Sequence, residues 1–138
     1  MSAPGGSVLP DQVGSQRQQS VLIIDHSADT RQVLRTALER RGVLILEAKR
    51  AEAGLKLARR HHPALVVLDL ETIPAGGEAV RERLDSETEN SRIPLVVLGN
   101  VRRSEALLPH QSVVQKPYHY GPLIRKIELL LADSKQVA

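Results

Sequence analysis

Short, almost entirely apolar runs that alternate with amphipathic stretches constrain the fold of this chain more than any other feature. The runs are rich in Val, Ile and Leu, and they occupy residues 21–24, 43–46, 64–68, 95–98 and 112–114. Runs that are apolar on both faces are typical of strands in a parallel sheet that helices cover on each side. The pattern therefore predicts an α/β domain with five parallel strands.

Helical spacing of apolar residues between these runs predicts the crossover helices. The first helix has an apolar inward face, formed by Val33, Leu34, Ala37 and Leu38. Its charged face is interpreted as a solvated surface and comprises Arg31, Arg35, Glu39 and Arg40. Further helices are predicted over 51–60, 78–86 and 122–132. Residues 102–108 allow only a short or irregular helix of about two turns.

Composition places the domain boundaries. Residues 1–19 are rich in Gly, Pro, Ser and Gln and lack the basic and apolar segments of a signal peptide, so they are interpreted as a flexible tail. The folded domain is placed at 20–132, and 133–138 is interpreted as a second flexible tail. Apolar runs all fall short of the about 20 residues that cross a bilayer, which predicts no membrane association.

Composition also excludes classes of function. The chain has no cysteine, which excludes disulfides, thiolate metal sites and cysteine nucleophiles and predicts a cytoplasmic protein. Tyr118 and Tyr120 are its only aromatic residues, so a stacking platform for single-stranded nucleic acid is missing. Acids and bases are interspersed, and the basic run 59–62 suits the end of a helix. Nucleic-acid binding is therefore the weakest hypothesis.

Reactive side chains follow three of the predicted strands. Asp25 and His26 come after the first strand, Asp69 after the third and Lys116 after the fifth. Because the carboxyl ends of parallel strands meet at one edge of a sheet, one cluster could hold all four. Two carboxylates and a lysine suit an acyl-phosphate site, since lysine balances phosphoryl charge and carboxylates bind a divalent cation.

Four segments, in matching order and spacing, resemble the receiver domains of response regulators over residues 20–132. The segments are Val21-Leu22-Ile23-Ile24-Asp25, Leu65-Val66-Val67-Leu68-Asp69, Ile93-Pro94-Leu95-Val96-Val97-Leu98 and Val113-Val114-Gln115-Lys116-Pro117. The resemblance implies a flavodoxin-like (βα)5 fold, a doubly wound five-stranded parallel sheet with strand order 2-1-3-4-5. It also implies a role in two-component phosphorelay signalling.

The resemblance assigns a role to each matching residue. It makes Asp69 the phosphoacceptor for a histidine kinase or phosphotransfer protein, and Lys116 the phosphoryl-contacting lysine. Asp25, Asp69 and the backbone carbonyl of Glu71 would hold Mg²⁺, with His26 a doubtful ligand. Such a domain is not an enzyme, and at most it catalyses its own phosphorylation and dephosphorylation. Its other expected partners are a downstream effector protein and a second copy of itself.

Three residues depart from the family's pattern. His26 replaces an acidic residue that binds Mg²⁺ directly, and imidazole is a poor ligand for this hard cation. The departure predicts weakened Mg²⁺ binding, with Mn²⁺ as the alternative. Gly99 stands where the family has a Ser or Thr hydroxyl, and Val113 replaces the aromatic residue that moves with that hydroxyl. The segment 99–116 is also shorter than usual by about one helical turn.

Two functions of different classes remain open. In the first, the chain is a receiver phosphorylated on Asp69. In the second, it is a pseudo-receiver, a protein-interaction module independent of phosphorylation, in which Asp69 only caps a loop or pairs with Lys116. Convergence of Asp25, Asp69 and Lys116, with room for a cation and a phosphoryl group, would favour the first. The segment that begins at Asp69 is also similar to the aspartate motif of haloacid-dehalogenase-like phosphatases. That family is rejected, because it carries the motif on its first strand.

Overall fold

Five parallel strands form one sheet in the part of the chain that the computed structural model describes, residues 18–101 and 107–136. The strands are β1 (Ser20–Ile24), β2 (Leu44–Ala48), β3 (Leu65–Asp69), β4 (Leu95–Leu98) and β5 (Gln111–Val114). Their order is β2-β1-β3-β4-β5 and every neighbouring pair is parallel. The predicted doubly wound sheet with order 2-1-3-4-5 is confirmed.

Four α-helices lie among the described residues, and a 3-10 turn (Leu70–Thr72) follows β3. The helices are α1 (Ala28–Glu39), α2 (Ala51–His61), α3 (Glu78–Asn90) and α4 (Tyr120–Gln136). The last helix continues four residues past the predicted end at residue 132. Most of the short helix predicted over 102–108, and residues 1–17 of the predicted N-terminal tail, lie outside the described residues. None of the helices described has the length and apolar character needed to cross a membrane.

Both faces of the sheet are covered by helices, as the apolar runs predict. Val21 and Ile23 of β1 pack in the layer with α1 and α4, whereas Leu22 and Ile24 pack in the layer with α2 and α3. Alternate residues of a strand point to opposite faces, so a buried central strand must be apolar throughout. Gly54 lets α2 approach this strand closely, because a Cβ there would lie 2.3 Å from Ile24 Cδ1.

Helix α1 buries Leu34 and Leu38 as predicted, but Arg31 is also buried and Val33 is exposed. Arg31 is only 8% exposed, while Val33 is 37% exposed. Arg31 donates hydrogen bonds to the backbone carbonyl of Asp25 at 2.6 Å and to Glu47 Oε1 on β2 at 2.8 Å. These bonds satisfy the buried guanidinium, which would otherwise require solvent. The interpretation of Arg31 as part of a solvated surface was wrong.

Candidate functional site

Asp69 lies at the centre of the site, as the last residue of the middle strand β3. The residue is fully buried, and each carboxylate oxygen meets neighbouring groups. Oδ1 accepts hydrogen bonds from Lys116 Nζ at 2.7 Å and from the backbone N–H of Glu71 at 3.1 Å. Oδ2 lies 3.2 Å from His26 Nδ1. Three separate loops therefore converge on one carboxylate.

Lys116 reaches Asp69 from the loop after β5. Its Nζ also donates to Glu71 Oε2 at 3.0 Å. Desolvation alone would lower the pKa of Lys116, but hydrogen bonds and charge attraction from Asp69 and Glu71 outweigh it and raise the pKa above its ordinary value. The lysine is therefore cationic at neutral pH. A permanent positive charge beside Asp69 is what a transferred phosphoryl group would need.

Asp25 is held in place by both its side chain and its backbone. Its Oδ1 accepts from the backbone N–H of Ser27 at 2.8 Å, its N–H donates to the Ala48 carbonyl at 3.0 Å, and its carbonyl accepts from Arg31. Burial raises the pKa of the Asp25 carboxyl; the Ser27 amide opposes that shift and the nearby Asp69 carboxylate adds to it. The site thus contains a second desolvated acid beside Asp69.

His26 has a partly exposed side chain, but its ring faces the two acids. Nδ1 lies 3.2 Å from Asp69 Oδ2 and 3.9 Å from Asp25 Oδ1, and Nε2 lies 3.9 Å from Glu71 Oε1. One donor atom each from Asp25, His26 and Asp69 can be chosen so that all lie within 4.8 Å of one another. Ligands about 2.1 Å from a shared ion are about 3 to 4 Å apart. The three side chains are therefore spaced to hold one cation.

The donor set of this cluster fits Mg²⁺ poorly. Mg²⁺ prefers oxygen ligands in nearly ideal octahedral geometry, and two of the three side chains supply carboxylate oxygen. The third supplies an imidazole nitrogen, which suits transition ions better. The part expected of the Glu71 carbonyl as a metal ligand stays a prediction.

Gly99, which follows β4, lacks the hydroxyl of the family pattern, and a side chain there would meet Leu70 closely. Its backbone has a φ of +145°, a conformation that residues with a side chain rarely adopt. A Cβ there would lie 3.1 Å from Leu70 Cδ1 and 3.2 Å from Leu70 Cβ. Val113, the other departure, is partly buried and packs in the layer with α2 and α3. An apolar contact thus replaces the hydroxyl at this strand end.

An open cleft of about 660 Å³ adjoins the site. It lies between the start of α2 and the loop that joins β3 to α3. Residues at its border include His26 and Glu71 from the site and Lys49 and Arg50 from the loop before α2.

Four residues were predicted to contribute side chains to the site, and the structure brings all four together: Asp25, His26, Asp69 and Lys116. Sequence reasoning missed the side chain of Glu71, which contacts Lys116 and lies near His26. It also missed Arg31 and the contact of Leu70 with Gly99. The position of Glu71, two residues after a strand-end aspartate, was an available signal, whereas nothing local marks the other two.

A doubly wound parallel sheet with acidic residues and a lysine at its carboxyl edge defines a flavodoxin-like α/β protein. The chain has the fold of the receiver domains of response regulators and is similar to response regulators in sequence. It is 25% identical to a response regulator receiver modulated diguanylate cyclase from Pelobacter carbinolicus, with a TM-score of 0.62 over 84% of this chain and 94% of that one. A response regulator receiver protein from Sinorhizobium medicae WSM419 shares the fold, with 19% identity, a TM-score of 0.67, and coverage of 85% and 97%.

Among curated proteins, the chain is 31% identical over 117 residues to the "Probable transcriptional regulator ycf27" of Porphyridium aerugineum. The match covers 83% of this chain and 49% of that protein. The chain therefore spans about half the length of the ycf27 relatives that it matches. No protein-family model matches the chain. The similarity to response regulators supports a role in two-component signalling.

Proposed function

We propose that this protein accepts a phosphoryl group on Asp69 from a histidine kinase or a phosphotransfer protein. The observation that carries the proposal is the contact of Lys116 Nζ with Asp69 Oδ1 at 2.7 Å, with the buried Asp25 in the same cluster. A nucleophilic carboxylate and a fixed cation are the two elements that acyl-phosphate formation requires. The cleft beside His26 supplies an approach for the donor.

In the proposed step, a carboxylate oxygen of Asp69 attacks the phosphorus of a phosphohistidine. A P–O bond forms, the P–N bond breaks, and the donor imidazole keeps the electron pair of the broken bond. Lys116 neutralises charge on the transferred group, because its raised pKa keeps it protonated. A divalent cation, when bound, would supply further positive charge at the phosphoryl oxygens. The side chains of His26 and Glu71 must shift for the donor to reach Asp69. Because both side chains are exposed, we expect this shift to cost little free energy.

The output of the protein is proposed to pass through contacts with a downstream effector protein or a second copy of the chain. The ycf27 relatives are named as transcriptional regulators, and they are about twice the length that the match covers. Their named activity belongs to those longer proteins. For this chain, we propose only a contact with another protein, which either depends on phosphorylation or is constitutive.

The competing function is a pseudo-receiver, and the surroundings of Asp69 favour it in one respect. Its oxygens already contact Lys116, the Glu71 amide and His26, so the carboxylate is stable without a phosphoryl group. Leu70 also fills the space of the missing hydroxyl beside Gly99. A domain with this arrangement could hold one constitutive conformation.

Treatment with acetyl phosphate in the presence of Mg²⁺ or Mn²⁺, read by intact mass, tests the proposal. We expect one phosphoryl adduct on the wild-type protein and none on Asp69→Asn. Absence of an adduct with both metals, while circular dichroism shows a folded protein, would contradict the proposal and support the pseudo-receiver.

A further inference from the structure

The ring of His26 presents a different nitrogen to each side of the site. Nδ1 faces the carboxylates of Asp69 and Asp25, at 3.2 and 3.9 Å, and Nε2 faces the Glu71 carboxylate at 3.9 Å. The side chain is 59% exposed, so burial does not force this orientation. The arrangement places a nitrogen donor among the oxygens of a cation site.

We propose that Asp25, His26 and Asp69 form a site for a first-row transition ion, of the Mn²⁺, Co²⁺ or Zn²⁺ class, in preference to Mg²⁺. The cation's place in phosphoryl transfer rests on the proposed function, but its binding does not. Two carboxylate oxygens and one imidazole nitrogen suit these ions, which accept nitrogen ligands readily. Mg²⁺ keeps its water in place of a nitrogen donor.

Glu71 strengthens the case for ligation through Nδ1. A ligating Nδ1 must be unprotonated, so the proton of the neutral ring is on Nε2. Histidines that bind metals commonly direct their remaining N–H toward a carboxylate, which fixes the tautomer and raises ligand basicity. Glu71 Oε1 lies 3.9 Å from Nε2, beyond hydrogen-bond distance, so the exposed Glu71 side chain must move closer to take that role, while its Oε2 contacts Lys116. The carboxylate missing at position 26 is thus partly replaced by one next to the imidazole.

The first experiment measures binding of Co²⁺ and Mg²⁺ to the metal-free protein, without any phosphoryl donor. Co²⁺ is followed by its visible absorption and by paramagnetic shifts of the His26 ring protons. Mg²⁺ is followed by its competition with Mn²⁺, observed by electron paramagnetic resonance. We expect the wild-type protein to bind Co²⁺ at least about tenfold more tightly than Mg²⁺, with shifted His26 signals.

Variants at position 26 separate this preference from the general tendency of transition ions to bind more tightly. We expect His26→Asp to bind Mg²⁺ more tightly and to narrow the ratio of Co²⁺ to Mg²⁺ affinity by about tenfold or more. His26→Ala should lose about tenfold in Co²⁺ affinity, while His61→Ala, at the exposed end of α2, should lose none. An equal loss in His61→Ala would mean adventitious surface binding and would overturn the proposal.

Glu71→Gln tests the supporting carboxylate. Outer carboxylates typically contribute 10- to 100-fold to metal affinity, and we expect about the lower end here because Glu71 is exposed. Equal Co²⁺ to Mg²⁺ ratios in wild type and His26→Asp would overturn the metal assignment. Tight Co²⁺ binding without any phosphoryl adduct would instead contradict only the proposed function, so the two failures can be told apart.

Discussion

The side chain of Leu70 lies against the backbone of Gly99, so that a Cβ at position 99 would stand only 3.1 Å from Leu70 Cδ1 and would require Leu70 to shift. Leu70 directly follows Asp69, and Gly99 directly follows the neighbouring strand β4. The apolar contact therefore lies beside Asp69, at the position where the family has a hydroxyl. A side chain at position 99 would need Leu70 to shift and would strain the backbone.

Gly99→Thr should destabilise the protein and should not restore a family-like switch. The substitution places a β-branched residue at a φ of +145° and against Leu70, at a cost of about 1–3 kcal/mol from the backbone alone. Urea unfolding measures the loss. Gly121→Ala is the control, because its Cβ meets nothing within 4 Å in the first turn of α4. If Gly99→Thr were as stable as this control, the steric argument would be wrong.

Lys116→Met should destabilise the protein because it leaves the buried Asp69 carboxylate without its main counter-charge. Breaking a fully buried pair costs about 3–5 kcal/mol, and we expect about 2–3 kcal/mol because Lys116 is partly exposed. Asp69→Asn in the same chain should recover much of the loss, and a double-mutant cycle by urea unfolding gives the coupling energy. Simple additivity of the two changes would show that the pair does not interact.

Asp25→Asn should stabilise the metal-free protein at pH 7. Burial raises the pKa of Asp25 above its ordinary 3.8, so the folded state binds this proton more tightly than the unfolded state does. The protonated Asp25 carboxyl therefore contributes stability at low pH, and this contribution is lost as the pH rises from 3.8 through the pKa of the folded state. Asparagine avoids that loss and still accepts from Ser27. Urea unfolding in EDTA should show a gain at pH 7 that shrinks toward pH 4, and a constant gain would contradict this cause.

Arg31→Met should cost more stability and more metal affinity than Arg35→Met. Both arginines contact Glu47, but only Arg31 also donates to the carbonyl of Asp25. We expect a loss of about 2–4 kcal/mol for Arg31→Met and under about 1 kcal/mol for Arg35→Met, whose side chain is 46% exposed. Arg31→Lys, which can keep one of the two bonds, should restore part of the Co²⁺ affinity. Equal affinities in all three variants would limit Arg31 to a structural role.

The five-stranded parallel sheet and the edge at which the main site residues lie could be predicted because both depend on local signals, whereas the strand order followed from the resemblance to receiver domains. Runs such as Leu65-Val66-Val67-Leu68 can be buried on both faces only in the interior of a sheet, and the residue after each run must lie at its edge. Since parallel strands end together, one cluster at that edge could hold Asp25, Asp69 and Lys116. The presence of a positively charged lysine beside Asp69 was therefore predictable.

Contacts between side chains from distant segments were not predictable in this way. Arg31 was expected in solvent by helical spacing, yet a carbonyl from β1 and a carboxylate from β2 satisfy it in the interior. The amino-acid sequence by itself determined the sheet, its edge and the residue types gathered there. Only the tertiary structure decided which way His26 points and that Leu70 closes the space beside Gly99. Those outcomes depend on packing between loops that no local pattern encodes.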